Sequence, residues 1–502
     1  MFRDNINLFY GLEYRVINGT SASMGGYKFL LDDFWSFANV DPESYIERGQ
    51  SVTHSRRNKY GHFGEIRFDY KGLIQVSATG RLDGPSSLKQ ANKTHYFYPS
   101  VTGGVVFSEL FGWHNSWFSY GKLRGNWAKV GKEPPAYLFN DTFKRWNTFP
   151  DPGYGRDPTV SYAPLDLAPE MTKSWEIGAD LRFFNQRTRL DVAYYSTTVD
   201  NQIVSVRVSP ASGDILQTRN EGSLNNHGLE VSLQQDIIKS ADFDWTATLN
   251  YSFNRSHVEW LPDQLTEIQG TQYGDIFPVA RLGESSTSLS GKDYQRDPDG
   301  NVICDVNGYP LIDPAKGNYI GNREPDFLLG LGSSFRYKGA SLSFLFDGRV
   351  GGDVANVTGR SLITNGMNHL YDKYRNREII FKGVVKNEDG TYSPNTTPVV
   401  LDSYFINTYY ATVSSNFIED GSYLRLSYVT LAYDFSGLLK KSWPVKGLSL
   451  SVTGRNLFLL TKYTGNDPSV LAAVSGGTGG MGIDNYNVPS TRNFNFTLKA
   501  NF

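Results

Sequence analysis

The sequence predicts an all-β fold, an antiparallel transmembrane β-barrel of which about fourteen strands are present. Three observations predict it. Apolar and polar residues alternate with a two-residue period through segments of about ten residues. The links between those segments are short and long in turn. The last segment, Asn493 to Phe502, reads as a strand up to its final aromatic ring.

Composition supports this class. Of 502 residues, 14% are aromatic and 39% hydrophobic, with 31 Tyr, 31 Phe and 50 Gly; mean hydropathy is -0.40. No run approaches the roughly 18 apolar residues of a membrane-spanning helix. A barrel meets lipid with only every second strand residue, keeps polar loops and concentrates aromatics at the interfaces. The charge balance, 49 Lys+Arg against 51 Asp+Glu, argues against a nucleic-acid partner. The single Cys304 forms no internal disulfide. Met1-Phe2-Arg3-Asp4-Asn5-Ile6-Asn7-Leu8 has neither the basic nor the apolar region of a signal peptide. A barrel must be exported, so either the sequence starts part-way into a longer protein or the membrane reading is wrong.

Asn5 to Asn18 reads as the first strand, followed by a polar segment through Lys59. Gly61 to Tyr70 and Gly72 to Leu82 form a hairpin about Tyr70-Lys71-Gly72, where Gly suits a positive φ. Tyr96 to Ser108 and Gly121 to Val130 follow, joined by a link with Phe111, Trp113 and Trp117. A Pro- and Gly-rich excursion then runs to about Pro169. In the next strand Trp175, Ile177, Ala179, Leu181 and Phe183 alternate with polar partners, continued by Leu190, Val192 and Tyr194. Leu229, Val231 and Leu233 mark a further strand. Phe243 to Phe253, Phe327 to Tyr337 and Leu342 to Phe346 repeat the pattern. In Tyr423 to Phe435 the phase flips from Leu424 and Leu426 to Val429, Leu431, Tyr433 and Phe435, which predicts a β-bulge near Ser427-Tyr428. Gly447 to Phe458 and the closing strand complete the count.

Short links fall near 70–72, 109–117, 185–187, 238–242, 338–340 and 436–446. Long ones fall near 19–59, 83–95, 131–171, 205–224, 259–325, 353–419 and 461–490. Strict alternation of this kind is the pattern of short periplasmic turns and long extracellular loops. A soluble sandwich has no reason to sort its loops. The whole of 1–502 thus reads as one barrel domain.

With these segments placed, the chain resembles the C-terminal part of a SusC/RagA-type TonB-dependent outer-membrane transporter. The resemblance rests on GEIRFDYKGLIQVSATGRLDG, APEMTKSWEIGADLRFFNQRTRLDVAYYSTTVDNQI and YIGNREPDFLLGLGSSFRYKGASLSFLFDGRVGGD. It rests above all on the closing SYLRLSYVTLAYDFS, VTGRNLFLLTKYTGNDPSV and VPSTRNFNFTLKANF, in the family's order. It implies a barrel of roughly 22 strands with a plugged lumen, preceded by a signal peptide, a small extension and the plug. It further implies a SusD-like surface lipoprotein as lid, TonB acting through the plug, and import of an oligosaccharide or, second, a peptide across the outer membrane of a Gram-negative cell.

Chemistry-bearing motifs are few. Asp297-Pro298-Asp299-Gly300-Asn301 with Asp305 and Asn307-Gly308 misses the calcium-loop spacing, because Gly falls fourth and the twelfth residue is Gly308. Asp-Gly and Asn-Gly turns are the better reading. The seven His, among them His54, His62, His95 and His114, show no metal-ligand spacing. No nucleophile elbow or phosphate loop appears, so no enzyme, metal or cofactor is expected. Loop aromatics that would stack on sugar rings are Trp146, Tyr154, Tyr162, Tyr273, Tyr371, Tyr409 and Tyr410, although loop packing is the commoner role of such rings. Phe494, Phe496, Leu498 and Phe502 form the lipid-facing side of the strand at which the barrel closes. Arg455, Asn456, Asp467 and Pro468 read as structural supports of the last hairpin. Two other readings remain open at this stage: a complete passive porin of about fourteen strands, and a surface glycan-binding or adhesive barrel.

Overall fold

Every second residue of the segments above is apolar, so a sheet built from them has one apolar and one polar face. The computed structural model shows that sheet. It describes residues 5–23, 28–34, 36–41, 51–113, 115–140, 143–146, 153–156, 163–207, 209, 211, 216–262, 265–315, 317–368, 375–440, 442–469 and 480–502. Fourteen strands form one sheet: β1 (Asn5–Ser23), β2 (Ser51–Tyr70), β3 (Ile74–Pro85), β4 (Tyr96–Val105), β5 (Phe118–Lys132), β6 (Glu170–Phe183) and β7 (Thr188–Asp200). The second seven are β8 (Ser223–Lys239), β9 (Phe243–Trp260), β10 (Phe327–Tyr337), β11 (Ala340–Val350), β12 (Tyr423–Asp434), β13 (Gly447–Thr461) and β14 (Asn493–Asn501). Their order in the sheet is their order in the chain, ending at β1 and β14.

The chain divides into two compact units. One holds residues 1–104, 125–175 and 198–223. Here β1 pairs antiparallel with β2 without a break from Asn5↔Asp69 to Ser23↔Ser51. Both strands are longer than the alternation predicted. The β2–β3 turn follows the expectation: Lys71 and Gly72 have φ of 53° and 71°, and Leu73 N donates to Tyr70 O at 2.8 Å. The predicted 131–171 excursion contains a small hairpin, Phe143–Trp146 with Gly153–Arg156.

The other unit holds residues 105–124, 176–197 and 224–502. Its sheet keeps one face apolar: Trp245 stands opposite Phe335, Leu331 opposite Phe346, and Val452 opposite Phe496. The bulge lies where the phase flip placed it. Phe346 pairs with Leu426 and Leu345 with Tyr428, leaving Ser427 out of register. On the other edge Leu426 pairs with Phe458 and Tyr428 with Arg455, so Ser427 faces Asn456 and Leu457 together. Asn456 takes a φ of 53°, a left-handed conformation that Asn tolerates better than most residues. The inserted residue keeps Leu424, Leu426, Val429 and Leu431 all on the apolar face.

The described residues of this unit's long connections pack together. Residues 265–315, 317–322, 353–368, 375–422 and 480–492 build small sheets and two apolar clusters of their own. Ile363, Val399, Leu401, Phe405, Ile406, Ala411 and Phe417 form one cluster. Tyr273, Ile276, Leu289, Ala355, Val357 and Ile483 form the other. The sequence pattern marks these segments only as connections.

Candidate lumenal face and loop body

The polar face of the sheet is dense in charge, and many of its described charges are paired. In the first unit Arg81 reaches Glu13 and Asp83, both at 2.6 Å, while Lys59 holds the other Asp83 oxygen at 2.7 Å. Arg15 adds to Glu13, and Arg67 to Glu65. In the second unit Arg124 grips Asp191 with both terminal nitrogens, at 2.6 and 2.8 Å, and Arg336 pairs with Asp244. Hydroxyl and amide contacts fill the space between, such as Ser232 to Asn250 and Thr430 to Thr453. A face of this kind suits a water-filled interior.

The loop body of the second unit is joined by buried polar contacts. Tyr463 donates to Asp484 at 2.7 Å, and Thr358 donates to the other Asp484 oxygen at 2.8 Å. Burial first, then the Asp484 carboxylate, pushes the Tyr463 phenol well above its usual range. Asn356 and Thr464 both donate to Glu419 at 2.8 Å. Arg323, 5% exposed, donates to Met481 O; burial draws its guanidinium down to about 10.

The Asp-Gly and Asn-Gly segments are turns, as read. Asp297 accepts from the backbones of Asp299 and Asn301, and Asp305 from those of Asn307 and Tyr309. Gly300 and Gly308 have φ of 84° and 86°. Among the described residues no three His, Cys, Asp or Glu converge as metal ligands.

The predicted aromatics fare differently. Tyr273 is only 6% exposed and sits inside an apolar cluster, so it offers no ring face to a ligand. Tyr410 packs edge-on against Phe417. Tyr409 is half-buried and stacks on Tyr309 with centroids 4.7 Å apart, its carbonyl accepting from Tyr294 at 2.9 Å. Trp146 and Tyr154 belong to the 143–156 hairpin, where only the backbone is described. Tyr162, Tyr371 and His114 lie outside the described residues. The sequence reading missed Tyr404, which is 59% exposed and meets Tyr409 edge-on. The signal was present in the run Tyr404-Phe405, where one ring faces out and its neighbour is buried.

Phe494, Phe496, Leu498 and Phe502 are 63 to 86% exposed. β14 pairs with β13 from Gly447↔Asn501 to Arg455↔Asn493. Beside it Asn456 donates to Thr491 O at 3.1 Å, and Asp467 pairs with Arg425 of β12 at 2.6 Å.

A long antiparallel meander with one paired-charge face, one apolar face and all long connections at one end defines the wall of a large β-barrel. The chain belongs to the TonB dependent receptor-like β-barrel family, whose profile matches residues 2–457. It is 23% identical to TonB-dependent receptor P3 of Formosa agariphila, covering 99% of this chain and 50% of that protein. It is 24% identical to TonB-dependent receptor SusC of Bacteroides thetaiotaomicron, covering 88% of this chain and 44% of that protein. Its fold matches the RagAB peptide importer in the open-open state with a TM-score of 0.75 at 18% identity, over 99% of this chain and 53% of that one. The SusC/RagA-type resemblance read from the sequence is thus met by both comparisons. The chain spans about half the length of the relatives it matches.

Proposed function

We infer that this chain is the wall-forming part of an outer-membrane nutrient importer of SusC/RagA type, energised through TonB. The observation that carries the reading is the sheet itself. Its apolar face suits lipid, its polar face suits an aqueous lumen, and its seven long connections leave from one end. That end is extracellular in this reading, and its compact loop body is the surface against which a SusD-like lipoprotein lid would close. Oligosaccharide is the first cargo class and peptide the second, the latter favoured by the RagAB likeness and the former by the SusC relative. The protein is not an enzyme in this reading.

Uptake tests it. Cells carrying the intact gene should accumulate labelled oligosaccharide, and deletion of TonB should abolish the accumulation. Uptake of labelled peptides alone would move the cargo to the second class. Passage that persists without TonB would replace the importer with a passive pore.

A further inference from the structure

The two faces of the β1–β3 hairpins differ in more than hydropathy. The unbroken registers place even-numbered residues of all three strands on one face. On β1 these are Ile6, Leu8, Tyr10, Leu12 and Tyr14, each 67 to 75% exposed. Opposite them on β2 stand Phe68, Ile66, Gly64, His62 and Tyr60. Above Tyr14↔Tyr60, towards the long-connection end, the composition changes to Val16↔Asn58, Asn18↔Arg56 and Thr20↔His54. Even-numbered positions of β1, β2 and β3 include no Asp or Glu. Glu13, Glu65, Asp69 and Asp83 all stand on the other face, where they bind cations or polar groups.

Arg56 therefore differs from Arg15, Arg57, Arg67 and Arg81, each of which has a carboxylate partner. Among the described residues its side-chain contact is Nε to Asn58 Oδ1 at 3.4 Å, which leaves the terminal nitrogens of its exposed guanidinium for a ligand. His54, two residues along the same face, spends Nδ1 on Thr20 at 3.2 Å and leaves Nε2. Tyr60 is joined to His95, fixing an aromatic and imidazole floor below Arg56. Same-face neighbours on a strand lie about 7 Å apart, so Arg56, His54, Asn58 and Asn18 fall within the reach of one headgroup.

We propose that this patch binds the phosphorylated headgroup of an outer-leaflet glycolipid, whose acyl chains lie along the Ile6–Tyr14 band. A cation with no acid on its face, set just beyond an apolar band that ends in Tyr, meets the two requirements of such a lipid at once. The proposal rests on the outer-membrane reading above.

The test uses the full-length gene product in mild detergent, after flotation with vesicles has shown that it inserts. Native mass spectrometry then compares a bisphosphorylated acyl-disaccharide lipid with its dephosphorylated form. The phosphorylated form should be retained about tenfold better, the ratio one charge-assisted contact supplies. His54→Ala/Arg56→Ala should remove the preference, and Arg67→Ala, on the opposite face, should keep it. Equal retention of both lipids by the unaltered protein overturns the proposal, as does a preference that survives the double variant or disappears with Arg67→Ala. Displacement of the lipid by millimolar inorganic phosphate would assign the patch to a free anion and overturn the lipid as its occupant. Failure to float would instead sink the membrane reading, and the proposal with it.

Discussion

Arg425 and Asp467 show what a single buried pair does. Their side chains are 14% and 9% exposed, and the carboxylate also accepts from the backbone and hydroxyl of Ser469. Burial raises the Asp467 carboxyl, but the Ser469 contacts and Arg425 together outweigh it and hold it below the ordinary 3.8. A depressed folded value means that the carboxylate's contribution is complete above 3.8 and is lost as pH falls through the lower folded value. Asp467→Ala leaves a buried guanidinium without its anion, a change that costs about 3 kcal/mol. Protease cleavage in 462–469 should accelerate in that variant at neutral pH and match the unaltered protein only in strong acid. Unchanged cleavage at neutral pH would show that the pair is not what holds the segment. Cys304 gives a second residue-scale expectation. It is 2% exposed, and burial, then Asp305, pushes its thiol up to about 11. A maleimide at pH 8 should label it only after denaturation; rapid native labelling would show that the small sheet in which Cys304 pairs with Val385 opens.

At the scale of elements, the middle of each strand was legible and its ends were not. The phase flip in Tyr423–Asp434 placed the bulge at Ser427 because a strand that must keep one face apolar cannot change phase without an extra residue. Asn456 opposite it should tolerate Gly, whereas Asn456→Val should cost about 1–2 kcal/mol through its positive φ. A refolding titration read by gel mobility would rank the two. The closing strand makes a sharper demand. Phe496→Arg sets a charge on the apolar face and should cost about 2–4 kcal/mol, while Thr497→Arg on the polar face should assemble normally. Equal loss of assembled protein in both would mean that the two faces of β14 are not lipid and water. Strand ends escaped because Gly19–Ser23 and Ser51–Lys59 are rich in Ser, Thr, Asn and Arg. Their backbones pair in register all the same, and no apolar period announces them. Tyr273 escaped for a different reason. Its burial comes from Leu289, Ala355 and Ile483, contributed by three separate connections, and nothing near it in sequence records that meeting.

The second unit, taken whole, has two sources of order that depend on different solvents. Its sheet presents one apolar face, which lipid satisfies in the importer reading, while its loop body closes an apolar cluster around Ile276, Leu289 and Ile483, each 0% exposed. Ile483 enters from the connection before β14 and pairs through β-bridging with Ala355 on the connection after β11. Chain segments more than a hundred residues apart therefore depend on one small core. Removing side chain there should not propagate into the strands, whose ladders and lipid contacts are untouched. Ile483→Ala and Leu289→Ala should each cost the loop body about 2–5 kcal/mol by opening a cavity. Unfolding then ceases to be a single step: heating in detergent should release loop fragments to protease at a lower temperature than the loss of strand circular dichroism. The gap should widen in both variants, with the strand transition unmoved. A single transition that shifts as a unit would show that loop body and sheet fold as one, and would make the polar contacts Tyr463–Asp484 and Arg323–Met481 the couplings to cut next.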